Sequence, residues 1–112
     1  MKEVVINGEI YIKKTEQNAS EYVIVRTYSA GVFAGYFQSR NGREVILLNA
    51  RRIWYWDGAS SLSQLAMEGT SKPENCKFPC EVSRVELLEA IEILNVTDKA
   101  RESIKGVPIW HQ

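Results

Sequence analysis

The sequence predicts an α+β fold in a single domain spanning residues 1–112: an N-terminal antiparallel β-sheet of about five or six strands with two short C-terminal helices. Three observations predict it. Residues 1–56 fall into short runs rich in β-branched and aromatic side chains, the composition of strands. Asn7-Gly8 and Asn41-Gly42 supply tight hairpin turns between such runs. Beyond residue 60 the punctuation changes to helix caps and stops.

Val4 to Ile6 runs into Asn7-Gly8, and Glu9 to Lys13 alternates behind it. Lys14 to Ser20 is polar and loop-like. Tyr22 to Tyr28 is the next strand, broken by Ser29-Ala30-Gly31. Val32 to Phe37 follows, with Gly35 inside it marking a bulge or a close backbone approach. Asn41-Gly42 turns the chain into Glu44 to Leu48, and Asn49-Ala50 leads on to Arg51 to Trp56. The short links favour antiparallel pairing. Ser60 or Ser61 caps a short helix carrying Leu62, Leu65 and Ala66 on one face, with Gly69 as its stop. Lys72 to Pro79 reads as loop.

Residues 83–94 carry two patterns. Ser83-x-x-Glu86 is a capping box ahead of Leu87, Leu88, Ile91 and Leu94 at helical spacing. As a strand, the same stretch sets Val85, Leu87, Ile91 and Ile93 on one face, interrupted by Glu89. The strand is preferred, because Val96-Thr97-Asp98 opens a fresh helix that Gly106 and Pro108 end.

Composition excludes several classes. Lys+Arg and Asp+Glu stand at 14 each, so there is no overall basic field for long nucleic acid. Apolar runs fall well short of the roughly 20 residues that cross a bilayer. Met1 to Ile6 is too short for a signal peptide and carries Glu3, so the expected location is the cytosol. The two cysteines, Cys76 and Cys80, suit a reducing compartment and fall short of the four ligands of a structural zinc site. The Asn-x-Ser/Thr patterns at Asn18 and Asn95 carry no meaning without secretion.

Catalytic signatures are missing from the sequence. His111 stands near the chain end, a poor place for a general base. There is no nucleophile elbow, P-loop, dinucleotide fingerprint or zincin motif. The expectation is a non-enzymatic protein without a cofactor. The informative stretch is Arg51-Arg52-Ile53-Trp54-Tyr55-Trp56. As a strand it sets Arg52, Trp54 and Trp56 on one face and Arg51, Ile53 and Tyr55 on the other. Indoles beside a guanidinium suit a flat, anionic ligand, since aromatic faces stack on rings and arginine grips phosphate. A core strand with its tryptophans packed on the next helix and its arginines at the rim explains the same residues. Tyr28 to Gly35 reads as a close-approach loop or a bulged hairpin, and Phe78 as an exposed stacking platform or a tucked loop anchor. Lys99, Arg101 and Lys105 give the last helix a basic side. The aromatic content and the open sheet edges also suit a subunit interface.

Val25-Arg26-Thr27-Tyr28-Ser29-Ala30-Gly31-Val32-Phe33-Ala34-Gly35, followed by Leu48 to Trp56 and Gly58-Ala59-x-Ser61-Leu62, resembles a family of small phage and prophage proteins. The resemblance runs from about Tyr22 to Ile104. That family is similar to the first-described Thoeris anti-defence proteins. The resemblance implies an antiparallel sheet with two C-terminal helices, and dimers or hexamers in the cytoplasm of a bacterial host. It implies stoichiometric sequestration, without cleavage, of cyclic ADP-ribose isomers made by TIR enzymes, with cyclic oligonucleotides as further ligands. It carries the ligand contacts onto Arg51 or Arg52, Phe78 and Arg101, and the transfer of Phe78 requires that it line a pocket. Two competing expectations stand beside this one: a protein–protein interaction module that inhibits a host factor, and a hydrolase of the same signals.

Overall fold

The computed structural model describes residues 21–111. The expected strands at Val4–Ile6 and Glu9–Lys13 lie outside that range. Five strands form one antiparallel sheet: β1 (Tyr22–Thr27), β2 (Val32–Asn41), β3 (Glu44–Arg52), β4 (Val82–Leu87) and β5 (Ala90–Asn95). Two helices, α1 (Leu62–Glu68) and α2 (Asp98–Lys105), complete the α+β architecture. The stretch with two patterns is two strands, not a helix: the edges of β3 and β1 offer ladder partners that outweigh the local capping box.

The strand order is β4-β3-β2-β1-β5, so consecutive strands β4 and β5 lie at opposite edges of the sheet. Only Leu88 and Glu89 join them. In a flat sheet those edges would stand about 19 Å apart, four spacings of about 4.8 Å. The three peptide steps from Leu87 to Ala90 reach about 11 Å at most. The sheet must therefore curl until its edges nearly meet, with β4 and β5 as two halves of one bent strand. Two bonds fasten the bend: Ala90 N donates to Arg43 O at 2.9 Å and Tyr28 N donates to Glu89 O at 2.9 Å.

Curling creates two cores. On the concave side Val23, Val25, Phe33, Val45, Leu47, Ala50, Leu87 and Ala90 pack together. On the convex side Tyr22, Ile24 and Ala34 pack beneath Leu65 and Ala66 of α1, Ile104 of α2, and Phe78. Strand β1 is buried on both faces, which its unbroken Tyr-Val-Ile-Val run requires.

A bulge breaks the alternation of β3. Ala34 opposes Arg51, and Tyr36 opposes Leu48, so two steps on β2 face three on β3. Asn49 absorbs the extra residue at φ 48°, a left-handed conformation that asparagine tolerates. Gly35 sits opposite, where a Cβ would stand 2.7 Å from Ala50 Cβ. The helices follow their sequence signals. Ser61 accepts from Gln64 N and Thr97 from Ala100 N as N-caps, and Gly69 ends α1 at φ 79°.

Candidate functional site

The four residues expected to bind ligand fall into three places. Arg51 and Phe78 are interior. The Arg51 side chain leaves β3 on the convex face, opposite Ala34, and is 3% exposed. Its Nε donates to Pro79 O at 3.0 Å and its Nη2 to Phe78 O at 2.7 Å. Its Nη1 donates to Ile104 O at 3.1 Å and to Val107 O at 2.9 Å. Burial lowers its pKa from the ordinary arginine value, against the opposing influence of Tyr22, Glu81 and Cys80. It stays charged, and four carbonyl oxygens supply the compensation that a carboxylate would otherwise give. The cation also sits at the C-terminal end of α2, where the helix dipole favours it.

Phe78 is fully buried beneath Arg51, whose guanidinium carbon lies 5.5 Å from its ring centroid. Its own carbonyl and that of Lys77 before it are both held. Trp54 N donates to Lys77 O at 3.1 Å, and Trp110 N donates to Phe78 O at 3.0 Å. Phe78 therefore anchors its loop and presents no ring face to a ligand within this chain. The condition attached to its transfer from the resembled family is not met here.

Arg52 points the other way. It opposes Phe33 across β2 and β3, on the concave face, and its guanidinium carbon lies 4.5 Å from the Phe33 ring centroid. Nη1 donates to Ala30 O at 2.9 Å, which holds the fork over the ring. Ala50, Pro79, Cys80, Val82 and Val85 complete an open cleft of about 240 Å³ around this pair. Stacking plus one anchoring bond presents the remaining guanidinium edge to solvent, ready for an anion. Phe33 was visible in the sequence only as part of the glycine-flanked run, because its pairing with Arg52 depends on strand register.

Arg101 lies on α2, half-exposed and bonded to Glu102 at 3.0 Å and Asp98 at 3.5 Å. The Glu102 bond, foremost, raises its pKa. On the same helix Lys105 donates to Tyr36 Oη at 2.8 Å. Arg101 belongs to the convex side with α2, so Arg52 and Arg101 do not share a site.

Strand β3 ends at Arg52, so Trp54 and Trp56 do not continue an arginine–tryptophan face as the alternation predicts. Trp56 is half-buried and donates from Nε1 to Ala59 O at 3.2 Å. Trp54 is 63% exposed and Tyr55 50%. With Ile109 exposed nearby and Lys77 over both Tyr55 and Trp110, they form an aromatic surface beside the tied C-terminal segment.

The cysteines differ in setting. Cys76 is buried, within reach of Asp57 O and Lys72 O, whereas Cys80 is exposed at the Arg52 cleft. Among the described residues no three His, Cys, Asp or Glu side chains gather to hold a metal. Asp57 staples its loop instead, accepting from Asn75 Nδ2 at 3.0 Å and Gly58 N at 2.8 Å. Those two bonds, Asn75 first, hold its carboxyl below the usual range. No helix among the described residues is long and apolar enough to cross a membrane.

A family model described as a domain of unknown function, DUF6948, matches residues 20–104. Neither a search of curated proteins nor a search of solved structures finds a match.

Proposed function

The chain belongs to the DUF6948 family, and we propose that it is a non-catalytic binding protein that sequesters a cyclic nucleotide immune signal without cleaving it. The ligand class is the cyclic ADP-ribose isomers, the setting is a phage counter-defence in the cytoplasm of a bacterial host, and the working form is a homo-oligomer. The observation that carries this reading is the Arg52 guanidinium, stacked on Phe33 and anchored by a single bond at the rim of an apolar cleft. A pyrophosphate takes charge-assisted bonds from such a fork, and a base or ribose takes the apolar wall. The cleft holds about 240 Å³, below the roughly 300–1,000 Å³ of a site enclosing a ligand of this size. A second copy of the chain closing over it supplies the missing wall.

Titration calorimetry against a cyclic ADP-ribose isomer, with the ligand recovered after heating the complex, tests the proposal. Tight binding, intact ligand and a loss of affinity in Arg52→Ala are expected. Cleaved ligand, or binding that ignores Arg52→Ala, rejects it. A second reading rests on the exposed Trp54, Tyr55 and Ile109 surface, which suits a protein partner. Affinity for a host protein that depends on Trp54 and not on Arg52 would establish that reading instead.

A further inference from the structure

At the end of β3 remote from Arg52, the β2–β3 hairpin tip meets the start of β5 and forms a separate cleft of about 240 Å³. Its walls are Arg40, Gly42 and Arg43, and its floor is Ala90, Ile91 and Ile93. We propose that this notch is a binding site for a small organic phosphate, distinct from the Arg52 cleft and independent of the function proposed above.

Backbone geometry places the two arginines at the hairpin tip. Asn41 pairs with Glu44, which leaves Gly42 and Arg43 as a two-residue turn. Gly42 takes φ 63°, the positive value that a turn of this kind asks of its first central residue. Arg40 Nη1 donates to Gly42 O at 3.2 Å, and Arg43 O accepts from Ala90 N at 2.9 Å. The tip is therefore tied to the floor it overhangs.

The electrostatics favour an anion. Among the described residues, Arg40 and Arg43 are in no ion pair. Among the described residues, the one carboxylate lining the cleft, Glu92, is already bonded to Arg26 at 2.9 Å, so it does little to cancel their field. Two guanidiniums match phosphoryl oxygens through paired, charge-assisted bonds. The floor selects the rest of the ligand. Ile91 is 44% exposed and Ile93 36%, which leaves apolar surface beside the cations that a bare phosphate would not cover. A phosphate ester with a flat or aliphatic body satisfies both halves.

The test is two-dimensional amide NMR of the ¹⁵N-labelled protein titrated with phenyl phosphate and, separately, inorganic phosphate. Phenyl phosphate is expected to shift the amides of Gly42, Arg43, Ile91 and Ile93 and to bind more tightly than inorganic phosphate. Arg40→Gln and Arg43→Gln should each weaken it by about fivefold to tenfold, as loss of a charge-assisted contact implies. Arg52→Gln should leave it unchanged, which separates this site from the other cleft. The same spectra report whether each variant is folded. Absence of shifts at these amides, or shifts that persist in the Arg40→Gln/Arg43→Gln double variant, would overturn the proposal.

Discussion

Arg51 Nη2 donates to the carbonyl oxygen of Phe78 at 2.7 Å while its guanidinium lies over the same residue's ring, so one buried cation holds a loop by both backbone and side chain. The other three bonds of that guanidinium reach Pro79 and the end of α2, joining β3 to two segments far apart in sequence.

Arg51→Met strips Pro79 O and Val107 O of their donor, while Phe78 O keeps Trp110 N and Ile104 O keeps Val107 N. A loss of about 2–6 kcal/mol is expected, since each unsatisfied group costs about 1–3 kcal/mol. Arg51→Lys should recover little of it, because an ammonium cannot reproduce the planar fork. Arg52→Ala, on the exposed side, should cost under about 1 kcal/mol. Urea denaturation of the three variants measures the contrast, and equal losses at Arg51 and Arg52 would contradict these roles.

Gly35→Ala places a Cβ 2.7 Å from Ala50 Cβ and 2.9 Å from Ala50 Cα. Overpacking of this kind costs about 1–3 kcal/mol. Pairing it with Ala50→Gly should restore part of that loss, less the cost of a second strand glycine. Thermal unfolding of the single and double variants, compared with Ala50→Gly alone, reveals the coupling.

Thr97 does two jobs at the start of α2. Its hydroxyl oxygen accepts from Ala100 N at 3.1 Å, and the hydroxyl donates to Met67 O at 2.8 Å, linking the two helices. Thr97→Ala should cost about 1–2 kcal/mol, the range of a lost N-cap. Thr97→Ser keeps both bonds and should stay close to the parent in chemical denaturation.

The buried Tyr22 hydroxyl has no hydrogen-bond partner among the described residues. Burial first, and then the neighbouring Glu81, raise its pKa above the ordinary tyrosine value. The folded state thus keeps a proton that the unfolded state releases above about pH 10. Stability is unaffected by this group below that pH and falls as pH rises beyond it. Tyr22→Phe should be neutral or slightly stabilising at pH 7 and should lessen the alkaline decline. A variant clearly less stable at pH 7 would show that the hydroxyl has a partner.

Residues a few positions apart determined much of this protein from the sequence alone. Ser61, Gly69 and Thr97 mark helix ends because capping is a local bond between a side chain and nearby backbone. The β-branched runs of β1 to β3 and a hairpin at Asn41-Gly42 were legible for the same reason, although the two turn residues are Gly42 and Arg43. The tertiary structure alone decided the direction of the two arginines. The bulge at Asn49 shifts the alternation of β3, so counting from Glu44 does not tell which of Arg51 and Arg52 faces inward. Only the carbonyls of Phe78, Pro79, Ile104 and Val107, some 27 to 56 residues away, select Arg51. The choice between helix and strand after Ser83 was likewise settled by the free edges of β3 and β1. Backbone groups buried at a sheet edge must find partners, and those partners come from distant parts of the chain.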